Sequence, residues 1–531
     1  MSYVAEPFTD EERSLLAPHF TDLDGPVFAL TNLPEVVKGA LFARYSRSAK
    51  SLRRLFLDEF VEASTAVRAS AEAVGTARAE RLYQNVFLEF GDDSVAQLGG
   101  AHIACEQSSQ LLAKVLERGR LAAYLEQSTR YVPYDDRPGG RWRYHVPPEV
   151  IEAGDDLTAQ YRDTLDFAFE TYARSLGPLQ EHFRALLPQE PGTPDGAYRS
   201  TIRAKACDAL RGLLPAATTS NVGMFAAAQS YEQLLLRMRA HPLAEVRACG
   251  DQMLTELRKV IPAFLTRVDR EDRGIRWSEY LGDTRDATTA VASELLRDAG
   301  PDTREEVTLT DFDPDGEVKV VAAALYAASD LPDDQLQGAA RKMSADERLR
   351  ALRAAVGDRT NRRHKPGRAF ERTSYRFDIL CDYGAFRDLQ RHRTLTVEWQ
   401  QLTTRHGFEL PQEIEQAGAS ADFREVMARS ADLHAMLVSE SLGPVAQYAV
   451  PMAYRIRFVM DMNAREAMHV IELRTTPQGH PAYRRVCQRM HTLIAEQAGH
   501  RAIAEAMRFA DHSTGETGRL EAERRTATRP S

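Results

Sequence analysis

Three side chains in a row that could bind an anion are Arg391-His392-Arg393. A polar strip that includes Thr403 and Arg405 follows it and holds few carboxylates. Guanidinium groups match phosphate oxygens with two parallel hydrogen bonds, so this pattern favours an anionic ligand. The competing interpretation is a solvated basic helix end that makes surface ion pairs.

A second group of polar residues is interspersed with apolar ones from Arg457 to Arg474. Asn463 stands at the head of an amphipathic run and is placed to cap a helix. Arg465 and His469 lie four residues apart, so they share one face of that helix. A simple cap and a structural histidine are the competing interpretations. Since no carboxylate-rich or His-x-x-x-His grouping accompanies the histidine, the sequence predicts no metal site.

Motifs for side-chain nucleophiles and phosphate-binding loops are missing from the sequence. It contains neither a glycine-rich phosphate loop nor a Gly-x-Ser-x-Gly turn. The five cysteines sit in apolar, helix-like contexts, which disfavours a reactive thiolate. We therefore expect a reaction whose chemistry a cofactor carries, while the protein orients and polarises the substrate.

Composition and charge exclude several kinds of partner. The formal net charge is −9, so we expect no polymeric nucleic acid and no anionic membrane surface as partner. No apolar run approaches the ~18 residues that a membrane span needs. The cysteines are odd in number and form no Cys-x-x-Cys pair, and no signal-peptide pattern is visible. These features indicate a cytoplasmic protein.

Five short motifs recur in the same order in both halves, so the elements that position the polar residues are duplicated. We expect one repeat over 1–290, a second over 305–512, and a disordered tail over 513–531. The first repeat carries extra sequence around 189–211, which predicts an inserted helix and loop. The paired segments are 29–34 with 328–332, 118–120 with 391–393, 148–154 with 411–418, 176–178 with 442–444, and 241–249 with 480–487.

Apolar periodicity predicts a mostly helical protein with a small sheet in each half. Short β-rich pieces at 318–321 and 376–380 indicate strands. The expected fold class is therefore α+β. Helical periodicity covers 52–74, 158–175, 231–265, 422–441 and 464–472.

Both halves resemble the flavin-dependent thymidylate synthases. That family carries an Arg-His-Arg triplet followed by a Glu-x-Ser-x-Arg element. The first half keeps Glu126, Ser128 and Arg130 but has Gly119 in place of the histidine. The second half keeps the whole triplet and replaces the serine by Thr403.

A later family motif consists of an arginine, an Asn-x-Arg and a final arginine, and the second half resembles it closely. The first half preserves the frame but not the charges. The four positions read Arg457, Asn463, Arg465 and Arg474 in the second half, and Asn221, Ala227, Gln229 and Met238 in the first. Upstream, the family's histidine and glutamate box resembles His364 and Glu371.

The resemblance implies two tandem copies of the thymidylate synthase-complementing-type fold, a small, mostly antiparallel sheet with long helices. It implies FAD as cofactor and conversion of dUMP to dTMP, with methylenetetrahydrofolate as carbon donor and NADPH as reductant. Enzyme nucleophiles take no part, and arginines stabilise the developing charge. Family enzymes are homotetramers with shared active sites, so we expect a homodimer that forms a pseudo-tetramer.

The resemblance also assigns roles to individual residues, with Arg474 as the catalytic group. Substrate-binding residues would be Glu126, Ser128, Arg130, Arg391, Arg457, Thr403 and Arg405. Flavin-binding residues would be His364, Glu371, His392, Arg393, Asn463, Arg465 and His469. Because each half has lost what the other keeps, we predict composite sites in which Ser128 and Arg130 meet the same phosphate as Arg457 and Arg474.

Two other functions remain open. The family has a glutamine three residues before its Arg-His-Arg, and Val115 and Asp388 stand at that position instead. A changed contact to the base alters substrate discrimination, which favours a diverged flavoenzyme of the same fold that acts on another nucleotide or metabolite. The lost charges of the first half favour a non-catalytic nucleotide-binding assembly protein. The arginines retained in the second half argue against it, because desolvated charges without a ligand are costly.

Overall fold

The computed structural model describes residues 3–33, 45, 48–59 and 100–513 of the chain. It divides into two compact units. Unit 1 comprises Met1–Leu179, Ala206–Pro301 and Pro411–Pro451, and unit 2 comprises Gln180–Lys205, Asp302–Leu410 and Met452–Ser531. Each unit thus includes a segment from the other half of the sequence. The repeat boundaries at 1–290 and 305–512 stay a prediction.

Each unit contains one four-stranded antiparallel sheet, and the two sheets have the same strand order. The strands are β1 (Val27–Leu30), β2 (Gly100–Ser109), β3 (Ala122–Glu126), β4 (Thr219–Ala227), β5 (Val307–Phe312), β6 (Ser374–Asp382), β7 (Thr396–Trp399) and β8 (Arg455–Asn463). The orders are β1-β2-β4-β3 and β5-β6-β8-β7. The α+β class and the two copies of one fold are thereby confirmed.

Helices occupy matching positions after these strands in both copies. The described helices of the first half of the chain are α1 (Asp10–Leu16), α2 (Leu52–Glu59), α3 (Gln110–Leu116), α4 (Pro148–Glu152), α5 (Asp155–Leu186), α6 (Asp195–Leu210), α7 (Ala228–Arg239), α8 (Ala244–Leu257) and α9 (Arg276–Leu295). Those of the second half are α10 (Gly316–Tyr326), α11 (Asp333–Lys342), α12 (Ala345–Val356), α13 (Tyr383–Leu389), α14 (Gln412–Gln416), α15 (Ser420–Ser439), α16 (Gly443–Ala446), α17 (Ala464–Arg474), α18 (Pro481–Glu496) and α19 (Arg501–Ala506).

Strand β8 shows how the sequence sets the orientation of the site. Its side chains alternate, because successive residues of a strand point to opposite faces. Phe458 and Met460 are buried in the core, whereas Arg455 and Arg457 lie on the other, half-buried face. The alternation therefore places the strand's arginines together on the face that can meet a ligand.

The helix that follows the last long strand begins differently in the two copies. Asn463 ends β8, and its side-chain oxygen accepts a hydrogen bond from the backbone N–H of Glu466 at 2.9 Å. This is the predicted N-cap of α17. Ala227 occupies the same place before α7 and offers no side-chain cap. Only in the second copy, therefore, does a side chain accept a hydrogen bond from a backbone N–H at the start of this helix.

Strand β2 contains a β-bulge that its counterpart β6 lacks. The register of β2 against β4 shifts between Cys105 and Ser108, where Gln107 has a φ of 53°. Within the same bulge, Glu106 is buried and accepts a hydrogen bond from the Tyr45 hydroxyl at 3.1 Å. The bulge thus places a buried carboxylate where it accepts a hydrogen bond from the N-terminal part of unit 1.

Two insertions distinguish the first copy. Helix α6 lies within 189–211, so the inserted helix predicted there is confirmed. A second insertion went unnoticed in the sequence: residues 131–143 stand where the second copy has only 406–407. The equivalent bridges that close these loops, Tyr144 to Thr218 and Phe408 to Tyr454, show the difference in length.

One predicted strand is wrong. Residues 318–321 belong to α10, in which Val320 and Val321 are buried. β-branched residues favour strands locally, but an alanine run follows them and burial of one helix face decides the outcome. The strand predicted at 376–380 lies within β6 and is confirmed.

The predicted helices are mostly confirmed, with changed limits. Segment 231–265 forms two helices, α7 and α8, and Pro242 lies in the break between them. Segments 158–175, 422–441 and 464–472 fall on α5, α15 and α17. Beyond α2, the rest of 52–74 lies outside the described residues, as does the tail after Ser513. Among the described helices, none has the length and apolar character that a membrane crossing requires.

Candidate functional site

Four polar side chains of unit 2 come together against α17. The helix itself carries Glu466, His469 and Arg474, and the turn before β7 brings His392 to them. We refer to these four residues as the imidazole cluster. Three of them were predicted site residues, so the structure unites positions that lie up to 82 residues apart in the sequence.

Hydrogen bonding in the imidazole cluster is directional. The Nε of Arg474 donates to Nε2 of His392 at 2.9 Å. On the other side of the ring, Nδ1 of His392 lies 3.7 Å from a carboxylate oxygen of Glu466. The His469 ring stands edge-on to that of His392, with ring centroids 5.5 Å apart. His392 is therefore held between a guanidinium and a carboxylate.

The environment keeps His392 neutral at pH 7. Burial lowers its pKa to about 4, although the Glu466 carboxylate acts in the opposite direction. Because Arg474 donates to Nε2, that nitrogen carries no proton, and the ring proton sits on Nδ1, towards Glu466. A single neutral tautomer results, with its orientation set by its two neighbours.

The same geometry bears on metal binding. Ligand atoms of His392, Glu466 and His469 lie within 4.8 Å of one another, which is a spacing that a metal ion could draw together. A metal on Nδ1 of His392 would require a proton on Nε2, and this proton would oppose the N–H of Arg474. The arrangement therefore favours hydrogen bonding within the cluster over metal binding. The sequence reasoning missed Glu466, because its approach to His392 depends on how the turn before β7 folds.

Arg474 is fixed by a second partner besides His392. One of its terminal nitrogens donates to the backbone carbonyl of Asp388, and another lies 3.6 Å from the side chain of Asp388. Arg391 also forms an ion pair with this carboxylate. Burial lowers the pKa of Arg474, and its guanidinium is held rigidly in place. Asp388 occupies the position at which the family resemblance leads one to expect glutamine.

A buried ion pair anchors the segment before β6 to α17. Both terminal nitrogens of Arg359 donate to the carboxylate of Glu472, at 2.7 and 2.6 Å. The Nε of Arg359 donates to the backbone carbonyl of His364, so the pair fixes the course of the loop. Both side chains are about 2% exposed. The sequence analysis did not single out this pair, since its members lie 113 residues apart.

Two predicted flavin-binding residues meet on this anchored loop. Arg465 donates from Nε to the carbonyl of Pro366 at 3.0 Å and lies 3.4 Å from Glu371. His364 is exposed and contacts its own turn, with a ring nitrogen 3.1 Å from the amide of Asn361. The structure therefore brings Glu371 and Arg465 together, while the His364 ring makes its contacts locally.

Arg457 of β8 and Arg405 both lie near His406. Arg457 forms an ion pair with Asp378 of β6 at 3.0 Å. Burial lowers the pKa of His406, and the charges of Arg457 and Arg405 act in the same direction. The hydroxyl of Thr403 accepts the backbone N–H of Arg405 at 3.4 Å. This turn reproduces the first copy, in which Ser128 accepts the N–H of its arginine at 3.2 Å.

The predicted site residues of the first copy make contacts within unit 1. Glu126 is buried, with a carboxylate oxygen 3.5 Å from Nζ of Lys114. The guanidinium of Arg130 donates to both carboxylate oxygens of Asp208, at 2.6 and 2.9 Å. Asp208 belongs to α6, the inserted helix. An internal carboxylate thus occupies the donor pair that would otherwise suit a phosphate.

Among the residues that the structure describes, the first copy holds no counterpart of the imidazole cluster. Gly119, Ser230, Gln233 and Met238 occupy the four equivalent positions. Ser230 donates to the backbone carbonyl of Leu121 at 3.1 Å. Met238 is fully buried where the second copy has its half-buried arginine. The scaffold is shared by the two copies, but the titratable groups are not.

The surroundings of α17 fit the phosphates of a dinucleotide cofactor. His469 is half-buried, and its pKa is lowered by burial and by the nearby charges of Lys365 and Arg362. Arg465 adds a guanidinium group on the same helix, and Arg393, which follows His392 in the chain, is exposed. This is a partly open face with an excess of cations, and such a donor set suits a pyrophosphate.

A cavity of about 390 Å³ in unit 1 offers a different kind of site. Gln107, Trp142 and Asn221 are among its lining residues. The amide of Gln107 already exchanges two hydrogen bonds with the backbone of Val4, at 3.2 and 3.0 Å. None of the residues predicted for the site lines this cavity, so the imidazole cluster and its surroundings remain the better candidate.

Comparison with known families matches most of the chain. The sequence model of the thymidylate synthase complementing proteins matches residues 40–263 and 308–499. One matched segment lies in each half, in agreement with the two copies of the fold.

The chain is also similar to individual proteins. A UPF0159 protein from Chlamydia muridarum is 39% identical over 524 residues, which cover 98% of each chain. A flavin-dependent thymidylate synthase from Clostridium tetani is 24% identical over 182 residues, covering 34% of this chain and 67% of that one. A solved structure of the UMP/dUMP methylase PolB from Streptomyces cacaoi, bound with 5-Br dUMP, matches with a TM-score of 0.30 and 19% identity, covering 39% of this chain and 99% of that one. The chain belongs to the thymidylate synthase complementing protein family, with one family segment in each half.

Proposed function

We propose that this protein is a flavin-dependent nucleotide methylase that converts dUMP to dTMP with FAD, methylenetetrahydrofolate and NADPH. The observation that carries the proposal is the imidazole cluster, where neutral His392 lies between Arg474 and Glu466. The cluster lies in the copy that keeps the family's arginines. Family membership and the similarity to the flavin-dependent thymidylate synthase from Clostridium tetani support the same reaction.

The proposed flavin site lies along α17 and its anchored loop. Arg393, Asn463, Arg465 and His469 would hold the cofactor's phosphates and ring edge, with Glu371 orienting Arg465 across 3.4 Å. When bound, FAD supplies the hydride chemistry of the reaction. His392 keeps one ring orientation, and its Nε2 accepts the hydrogen bond from Arg474. His392 would therefore hold the Arg474 guanidinium in position.

The proposed substrate site uses the remaining arginines. Arg474 is held by Asp388 and His392, so it can present a fixed positive charge to a pyrimidine carbonyl as negative charge develops there. Arg457 and Arg405 would bind the phosphate, because both lie near His406. For Arg457, the phosphate would compete with Asp378 at 3.0 Å.

We also propose that Arg130 contributes to the phosphate site, on one condition. Phosphate must displace Asp208, which holds the guanidinium with two hydrogen bonds. We expect Asp208→Asn to lower KM for dUMP by about tenfold, equal to about 1.4 kcal/mol, with kcat unchanged. Asp195→Asn, on the same helix, is the matched control. An unchanged KM in Asp208→Asn would remove Arg130 from the site.

Tritium release tests the proposal as a whole. The protein should purify with a flavin absorbance band and release tritium from dUMP labelled at carbon 5 when the folate and NADPH are present. Arg474→Ala should abolish release while retaining flavin. Arg508→Ala, at an exposed pair with Asp358, should leave release unchanged. A flavin-loaded protein that releases no tritium would refute the thymidylate reaction.

A second candidate is a flavoenzyme of this fold that acts on another nucleotide. It is favoured by Asp388, because this carboxylate is shared by Arg391 and Arg474 and cannot replace a glutamine amide as a donor. In that case dUMP should fail to perturb the flavin spectrum, while another nucleotide should do so. A protein without flavin would instead favour the non-catalytic assembly protein.

A further inference from the structure

Arginines from three helices of unit 1 meet at the turn that follows α7. Arg247 of α8 donates from one terminal nitrogen to the backbone carbonyls of His241 and Pro242, both at 2.7 Å. Arg285 of α9 donates to the backbone carbonyl of Ala240 in the same turn. Two further arginines lie beside this turn. We call the whole group the turn cluster, and its members are Arg118, Arg237, His241, Arg247 and Arg285.

The members of the turn cluster are close enough for their charges to act on one another. The pKa of His241 is lowered to about 4 by burial and by the charges of Arg285, Arg247 and Arg118. Burial and the charge of Arg118 also lower the pKa of Arg237, in the last turn of α7. Like charges thus repel one another within the cluster, and a bound anion would relieve this repulsion.

Arg237 is a half-buried cation that the described part of the chain does not neutralise. Its guanidinium makes no hydrogen bond and no ion pair with the residues that the structure describes. This differs from Arg239 two residues later, which forms ion pairs with Asp251 and Asp269. A partly desolvated charge without a partner is costly, so the position of Arg237 indicates an anion supplied from outside the chain.

Other members of the turn cluster keep N–H donors that the turn does not use. Arg247 contacts the turn through Nη1 alone, so its Nε and Nη2 remain. Arg285 uses Nε for Asp286 at 2.9 Å and Nη1 for the turn, so its Nη2 remains. Nδ1 of His241 accepts the backbone N–H of Leu243 at 3.2 Å, so the neutral ring carries its proton on Nε2. Donors of this kind match the oxygens of a phosphate group.

Two members of the turn cluster have no counterpart in the second copy. Arg237 precedes Met238, the equivalent of Arg474, so the residue of the second copy at its position is Leu473. Arg285 lies on α9, outside both segments that match the family. The first copy thus lacks the guanidinium of the imidazole cluster but carries cations of its own at the end of the same helix.

We propose that the turn cluster binds a phosphate group, either as inorganic phosphate or as the phosphate of a small ester. Guanidinium groups that come from different helices can contact different oxygens of one tetrahedral anion. Arg237 would gain the partner that the described chain does not give it. The site consists of other residues than Arg457 and Arg405, which are proposed for the substrate phosphate. It is therefore independent of the proposed reaction.

Isothermal titration with inorganic phosphate tests the proposal on the full chain carrying Arg457→Leu, which disables the proposed substrate phosphate site. This reference chain should bind phosphate saturably. Adding Arg237→Leu, the residue of the second copy, or Arg285→Leu should weaken binding by about tenfold or more, as expected for one hydrogen bond between charged groups. Arg297→Leu removes an equal charge from an exposed position beyond α9 and should leave the affinity unchanged. A reference chain without saturable binding, or unchanged affinity in both cluster variants, would overturn the proposal.

Titrations with adenosine 5′-monophosphate and with adenosine distinguish the two sources of the phosphate. The relevant quantity is the part of the binding that Arg237→Leu removes. For an ester, this part should be larger with the monophosphate than with inorganic phosphate, and for the free anion the two should be equal. Adenosine should show no such part in either case. Binding of adenosine that depends on Arg237 as strongly as binding of the monophosphate would contradict recognition of a phosphate group.

Discussion

The two helices that follow the last long strand of each sheet, α7 and α17, have the same place in the fold but different chemistry. Each follows its strand without a break, after the same nine-residue pairing element. Helix α17 starts from a capping Asn463 and carries Glu466, His469 and Arg474, whereas the first copy has none of these groups. A duplicated backbone thus preserves register and topology, while the residues of the imidazole cluster are present only in the copy that is proposed to bind the ligands.

The largest effect on stability is expected when the buried ion pair of the second copy is broken. Glu472 pairs with Arg359, and the equivalent first-copy residue is Leu236, which is also buried. Arg359→Met leaves an uncompensated buried carboxylate, so we expect the free energy of unfolding to fall by about 3–5 kcal/mol. Urea denaturation measures this decrease in the free energy of unfolding.

The double variant Arg359→Met with Glu472→Leu copies the first helix and serves as the matched control. Removing both charges should recover most of the loss, because an apolar pair of similar volume can replace a buried ion pair. If the double variant is as unstable as the single one, the two copies differ by more than this pair.

The next largest effect is expected on kcat when Arg474 is replaced. Its equivalent in the first copy is Met238, so Arg474→Met makes the second copy resemble the first. We expect kcat to fall by about 10²–10³, the usual cost of removing one preorganised donor. Steady-state tritium release gives kcat. Met238→Leu, a substitution of similar volume at the equivalent position, should leave kcat unchanged.

The pH dependence of stability should reveal His392. Its pKa is lowered by burial to about 4 in the folded protein, below the ordinary value near 6.5. The unfolded chain therefore takes up a proton first, and the stabilisation present above pH 6.5 is lost as pH falls towards 4. The full loss from this residue is about 3 kcal/mol.

His392→Gln isolates that contribution. His241 of the first copy also has a pKa lowered to about 4, by burial and by neighbouring arginines, so the wild-type protein should show at least two such losses. The variant should show a shallower decline of the unfolding free energy between pH 6.5 and 4. A pH profile identical to that of the wild type would contradict a buried, neutral His392.

The smallest effect concerns the helix caps. Asn463→Ala removes the hydrogen bond to the N–H of Glu466 and should lower the unfolding free energy by about 1 kcal/mol. Ala227→Asn introduces the missing cap in the first copy and should raise it by up to about 1 kcal/mol. Thermal unfolding of both variants measures the two changes. Effects of the same sign would show that the helix starts are not equivalent.

Local features of the site could be predicted from the sequence. The cap at Asn463 and the shared face of Arg465 and His469 follow from helix geometry, which acts over a few residues. The duplication could be predicted because ordered motifs survive divergence. The strand predicted at 318–321 failed since local β preference lost to burial of a helix face.

The remaining features depend on contacts between distant segments. Glu466 reaches His392 only because the turn before β7 folds against α17. Likewise, Asp208 meets Arg130 through an inserted helix that the second copy lacks. Neither residue belongs to a recognisable motif, and periodicity gives no information on which helix faces will meet. Side-chain pairing of this kind requires the three-dimensional structure.

One measurement tests the central claim that the second copy carries the chemistry. Release of tritium from labelled dUMP should be observed with the flavin-loaded wild-type protein, and its rate should fall by about 10²–10³ in Arg474→Met with flavin still bound. The first-copy substitution Met238→Leu should leave release unchanged. Undiminished release from Arg474→Met would contradict the account.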